Sequence, residues 1–264
     1  MRITHLTRTV RPYGTDGVVF RAAAALPEAQ AAAGHDVSVI APAPVHDIDQ
    51  VQPNQGLARR LSPLEVPGDP ALKVELLEGQ LAGSRARLYL LVFPEGADQP
   101  EAFGRACVAL MQGFAQPPEL VHLHQDTGAD ADAIRDALDG PAVVASVYDA
   151  SGEEPSVLAA IQDADAVLAP CQGLWLTDAD PSPAVAQALA SLPKVHVTPP
   201  ALDSQRWSPA RDGALEATYS GDDLQGKAAC RAALVREAGL PPRDDVLLLA
   251  VWGRDGDAGD GLAL

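Results

Sequence analysis

Cysteine is scarce in this chain of 264 residues: Cys107, Cys171 and Cys230 lie far apart and share no paired spacing. An odd number of scattered thiols argues against a disulfide framework and against a cysteine zinc site, and it suits a reducing cytoplasm. Positive charge is also short, with 19 Lys and Arg against 36 Asp and Glu and a net charge of −17. That balance repels nucleic acid and anionic membranes, so neither is an expected partner. No apolar run approaches the roughly 18 residues that a membrane span needs. Met1-Arg2-Ile3-Thr4-His5-Leu6 moves straight into strand-like sequence, and no signal peptide is expected. No strand is followed by Gly-x-Gly-x-x-Gly, and neither a P-loop nor Gly-x-Ser-x-Gly occurs, so no cofactor is expected. The chain also has no internal repeat.

What is present is a regular alternation. Ile3 to Leu6 reads as a strand, Val18 to Ala33 as an Ala-rich helix ended at Gly34, and Asp36 to Ile40 as a second strand. Such a βαβ opening takes a right-handed crossover and makes the sheet parallel. Residues 42 to 70 are rich in Pro, Gln and Gly and read as a long excursion. Val74 to Leu77 and Ala86 to Phe93 suit a strand pair, and Glu101 to Phe114 a helix. Strands at Leu120 to His124, Ala142 to Tyr148, Ala166 to Leu168 and Val195 to Thr198 follow. Helices at Ala131 to Leu138, Ser156 to Ile161 and Ala184 to Leu192 separate them. This pattern predicts a doubly wound, Rossmann-like α/β domain with a parallel sheet. In the tail, Arg206-Trp207-Ser208-Pro209 suits an aromatic anchor and a turn, and Asp223 to Glu237 is a helix stopped at Gly239. Val246 to Trp252 is a continuous apolar run, as in a strand covered on both faces.

Several of these words recur in order in one known family. The tail Leu202-Asp203, Trp207-Ser208-Pro209, Asp212, Tyr219, Gly226-Lys227, Gly239-Leu240 and Gly253-Arg254 resembles the linker of bacterial glycogen and starch synthases, glycosyltransferase family 5. At the other end, Pro12-Tyr13-Gly14-Thr15-Asp16-Gly17, Ala25-Leu26-Pro27-Glu28-Ala29, Gly34-His35-Asp36-Val37 and Val121-His122-Leu123-His124 resemble its opening motifs. The resemblance implies the N-terminal half of a two-domain GT-B architecture. Residues 1–240 would form that Rossmann-like domain and 241–264 the start of the second. It further implies glucosyl transfer from ADP-glucose to an α-1,4-glucan.

The candidate site is read partly from the residues and partly from the resemblance. His122 and His124 alternate with apolar neighbours, so both face one side near a strand's C-terminal end, where ligands bind in open α/β sheets. They are candidates for sugar contacts beside Asp126, or else satisfied histidines at a strand end. Two histidines at i, i+2 without a clear third ligand are weak evidence for metal, and no metal site is expected. By resemblance, Thr15, Asp16 and Gly17 fall in the family's phosphate loop, where Thr15 replaces a lysine and Val18 a glycine. Tyr148 and Asp149 occupy the position of a histidine–asparagine pair in the catalytic cleft. Arg254 remains from the terminal word, and Arg21 and Lys227 are further cations for a phosphate. Cys171 reads as a buried free thiol.

Scaffold words persist while words that touch phosphate or the reacting carbon are changed. Two classes of function follow. One is a synthase-like glucosyltransferase impaired or inactive as an isolated chain, with an α-1,4-glucan or nucleotide sugar as partner. The other is a non-enzymatic glucan-binding or protein-interaction relative. An unpaired apolar strand is an aggregation edge, so a protein partner is expected to cover Val246 to Trp252 unless the run packs on its own domain.

Overall fold

The computed structural model describes residues 1–13, 18–46, 56–68, 71–148, 155–169, 182–192, 195–198, 207–243 and 245–249. The chain divides into two compact units, 1–200 and 201–264.

The first unit opens with β1 (Arg2–Thr7), α1 (Val18–Ala32) and β2 (Asp36–Pro42). Within the excursion lie two short strands, β3 (Ala58–Arg59) and β4 (Leu64–Val66). After them come β5 (Leu72–Gln80), β6 (Arg87–Val92) and α2 (Pro100–Gln112). The rest alternates: β7 (Leu120–His124), α3 (Ala131–Ala137), β8 (Ala142–Ser146), α4 (Pro155–Asp163), β9 (Ala166–Ala169), α5 (Pro183–Ser191) and β10 (Val195–Val197).

The strands form one sheet in the order β10-β9-β8-β7-β1-β2-β6-β5-β3, with β4 paired to β5. From β10 to β6 every pairing is parallel, while β3, β4 and β6 all pair with β5 antiparallel. The sheet is therefore mixed and mostly parallel. The antiparallel part arises because β5 and β6 are joined by a short turn (Ser84 N donates to Leu81 O), too short for the crossover that parallel neighbours require. The chain runs outward from β1 through β2 to β6, then returns to the other side of β1 as β7. A reversal of winding direction thus falls between β1 and β7, and the carboxyl ends of strands at such a point are where α/β sheets form a crevice.

Side-chain alternation sorts the core onto two faces. Val37, Val39 and Ala41 of β2 join Leu88, Leu90, Val92 and the α1 residues Ala24 and Ala31. Ile40, Tyr89 and Leu91 point the other way and pack with Phe103, Cys107 and Leu110 of α2 and Ile134 of α3. Among the described residues no helix is long and apolar enough to cross a membrane.

The second unit contains α6 (Gln225–Glu237). Gly226 sits against the Thr218 carbonyl, where an added Cβ would lie 2.1 Å from the oxygen. Cys230 Sγ meets Ala217 O at 3.1 Å. The expected turn exists, with Arg211 N donating to Ser208 O at 2.9 Å, but Trp207 is 54% exposed and does not anchor a core. The expected strand Val246 to Trp252 is not formed over its described part: Val246 to Leu249 carries no pairing, and Leu247 is 82% exposed. An apolar run becomes a strand only when a neighbour accepts its backbone hydrogen bonds, and among the described residues no strand pairs with it.

Candidate functional site

The carboxyl ends of β1, β7 and β8 lie side by side. Register pairs His5 with His122 and Thr7 with His124 across β1 and β7, and His124 with Ser146 across β7 and β8. The three imidazoles therefore share one face of the sheet, the face of α1, and are 0–2% exposed. His122 and His124 stack with centroids 4.4 Å apart, and His5 lies 5.1 and 5.2 Å from them.

Their hydrogen bonds have one consistent direction. His5 Nε2–H donates to Gln30 Oε1 on α1 at 2.7 Å, which leaves His5 Nδ1 as an acceptor. His124 Nε2–H donates to that nitrogen at 2.9 Å. His124 Nδ1 then accepts from the Tyr148 hydroxyl at 2.9 Å. His122 Nε2 meets Ser146 Oγ at 2.7 Å. Every ring in this chain is neutral. Burial lowers the His5 pKa to about 4 against the bond to Gln30, and burial followed by neighbouring imidazoles pushes His122 and His124 well below the ordinary value. Burial likewise raises the Tyr148 hydroxyl to about 12, with a bond from Ser146 acting in the opposite sense.

Tyr148 is held from below as well. Its backbone N–H donates to Gln125 Oε1 at 2.8 Å, and Gln125 N donates to Ser146 O at 2.9 Å. Gln125 occupies the left-handed region, φ 58°, which turns the chain directly after β7 and lets its side chain reach back. Tyr148→Phe removes the donor to His124 Nδ1 and leaves a buried acceptor unpaired. Urea unfolding is expected to show a loss of about 1–3 kcal/mol; an unchanged midpoint would remove Tyr148 from the network.

Of the residues singled out in the sequence, the fold unites His122, His124 and Tyr148. The two histidines lie behind Tyr148, His124 hydrogen-bonded through both ring nitrogens and His122 through Nε2. Asp126 is half-buried in the loop after β7. Thr15, Asp16, Gly17, Asp149, Cys171 and Arg254 lie outside the described residues, as does the Arg21 side chain. Lys227 is on α6 in the second unit, its Nζ 5.7 Å from the Tyr219 ring centroid. His5 and Gln30 had no signal in the sequence. His5 looks like one polar residue in a short strand, and only register across β1 and β7 makes it the third imidazole. Arg8, just past β1, lies 5.7 Å from the Phe103 ring centroid and has a buried Nη1 with no hydrogen bond.

Comparison with known proteins places this site in context. Residues 2–128 match the family model of the starch synthase catalytic domain. A glycogen synthase of Anaeromyxobacter sp. (strain Fw109-5) is 31% identical over 96% of this chain and 63% of that protein. One from Anaeromyxobacter dehalogenans (strain 2CP-1) is 30% identical over 93% and 61%. The catalytic domain of Starch Synthase IV from Arabidopsis thaliana, bound to ADP and acarbose, superposes with a TM-score of 0.68 at 19% identity, covering 92% of this chain and 60% of that one. That likeness establishes a shared fold. The chain spans about three fifths of the length of these relatives.

Proposed function

We propose that this chain, similar to glycogen synthases over 96% of its length, is a glucan-binding relative of the starch and glycogen synthases whose glucosyl transfer is lost or strongly impaired in the isolated chain. The observation that carries the reading is Tyr148, whose hydroxyl hydrogen-bonds into a chain of neutral imidazoles at the reversal point of the sheet. By resemblance this is the position of a histidine in the cleft. A phenol with a pKa of about 12 is protonated and inert in proton transfer at neutral pH, where a catalytic group works best near 7. It remains a good partner for a sugar hydroxyl. Transfer from a nucleoside-diphosphate sugar also needs cationic or backbone donors on the leaving phosphates. Thr15 in place of lysine, Asp16 beside it and a net charge of −17 all oppose that.

In this proposal Tyr148 and Asp126 contact the glucan, with His122 and His124 positioning Tyr148. By resemblance to the family's motifs alone, Thr15, Asp16, Gly17, Asp149 and Arg254 are further candidates for substrate contacts. Residues 1–240 correspond to the first GT-B domain and 241–264 to the start of the second. Calorimetric titration tests the reading. Maltoheptaose is expected to give heat of binding, and ADP-glucose none. Heat from ADP-glucose would instead support a working transferase. Silence toward both would overturn glucan binding and favour a second reading, an interaction protein. That alternative rests on Val246, Leu247 and Leu249, which are 46%, 82% and 68% exposed and would be covered by a partner.

A further inference from the structure

We infer that His5, His122 and His124 form a site for one divalent transition-metal ion of the zinc class, bound through one ring nitrogen of each. The inference is independent of the glucan reading. It rests on geometry: one nitrogen from each ring lies within 4.8 Å of the others, and all three residues are buried on two adjacent strands. Zinc binds imidazole nitrogen at about 2.0–2.1 Å in tetrahedral sites, which corresponds to roughly 3.3 Å between ligand nitrogens. His5 Nδ1 and His124 Nε2, now 2.9 Å apart, would separate by only a few tenths of an ångström.

The surroundings resemble the outer shell that orients imidazole ligands. Metal-bound histidines engage their remaining ring nitrogen with a second polar group, which fixes the ring. Here Gln30 Oε1 holds His5 Nε2, the Tyr148 hydroxyl meets His124 Nδ1, and Ser146 Oγ meets His122 Nε2. An all-nitrogen set suits zinc, cobalt, nickel or copper, whereas calcium and magnesium require oxygen.

Protons balance without release. The ion takes the lone pairs of His5 Nδ1, His124 Nε2 and His122 Nδ1; His122 keeps its proton on Nε2, donating to Ser146 Oγ, and the His124 proton moves from Nε2 to Nδ1. Tyr148 turns from donor to acceptor toward Nδ1, and its own proton swings toward Ser146, with which it already interacts. One imidazole–imidazole hydrogen bond is exchanged for coordination, and the ion ties β1 to β7.

Cobalt is the probe, because tetrahedral cobalt absorbs visibly. The whole chain, stripped with chelator and refolded with cobalt, is expected to bind one ion with a tetrahedral d–d band. Gln30→Ala, which only loosens the ring of His5, should weaken binding roughly 10–100-fold. His122→Gln should abolish the band. A variant replacing the three remaining histidines, His35, His46 and His196, all exposed, should keep it. No band in the wild-type chain overturns the inference, and so does a band that survives His122→Gln or disappears when the exposed histidines are replaced. If His122→Gln does not fold, Gln30→Ala and the exposed-histidine variant decide.

Discussion

Lowering the pH from 7 to 5 is expected to reduce the stability of the metal-free, chelator-treated chain by at least about 2 kcal/mol, well before its carboxylates titrate. His5 has a folded pKa of about 4 and an ordinary value of 6.5. Below pH 6.5 the unfolded chain takes up a proton at His5 that the folded chain refuses, so stability falls as pH drops. The loss accumulates between 6.5 and about 4 and is complete below that. At about 1.36 kcal/mol per pKa unit, His5 alone accounts for about 2 kcal/mol by pH 5 and about 3 by pH 4. His122 and His124 shift in the same direction for the same reason, and protonating one ring makes the next harder to protonate. The groups that touch the rings, Gln30, Ser146 and Tyr148, are neutral and supply no compensating charge. Urea midpoints measured from pH 7.5 to 5 test this. A flat profile would mean that the imidazoles are solvated, and the buried network would have to be abandoned.

Gly128→Ala is expected to cost roughly 2–6 kcal/mol, the sum of about 1–3 for a left-handed non-glycine residue and about 1–3 for forced packing. Gly128 has φ 60°, and a Cβ there would lie 2.0 Å from the Pro100 carbonyl carbon and 2.5 Å from Glu101 N. The neighbouring backbone cannot retreat easily. A Cβ on Gly104 would stand 2.2 Å from Gly128 O, so the first turn of α2 and the loop after β7 already touch through bare backbone. That loop carries Gln125 and Asp126, and Gln125 positions Tyr148, so the substitution should weaken the proposed glucan binding along with stability. A melting temperature within a degree of the parent would show that the loop has room to shift.

Some of this was legible in one dimension because it depends on local periodicity. Strands such as Asp36 to Ile40 and Leu120 to His124 declare themselves by alternating apolar residues. The helix before Gly34 stops where a positive φ, 92°, suits glycine. The opening and tail words carry the resemblance to the synthases, and a glycogen synthase 31% identical over 96% of the chain and 63% of its own length agrees with them. Residues 42 to 70 were harder. They read as an excursion, yet β3 and β4 form there by adding to β5, whose free backbone groups recruit short segments of weak pattern.

Val246 to Leu249 shows the opposite error. Its composition is that of a buried strand, and it lies exposed, since hydrophobicity expresses a demand for cover without supplying the neighbour. The sequence by itself determined the alternation of elements and the charge, which follow from residue type and spacing along the chain, and its motifs carried the resemblance to the synthases. Only the tertiary structure decided that His5 joins His122 and His124, that Gln30 and Tyr148 close the two ends of their hydrogen-bond chain, and that Gly104 meets Gly128. Each of these joins residues 20 or more positions apart. Such pairings depend on strand order and register, which no local pattern encodes.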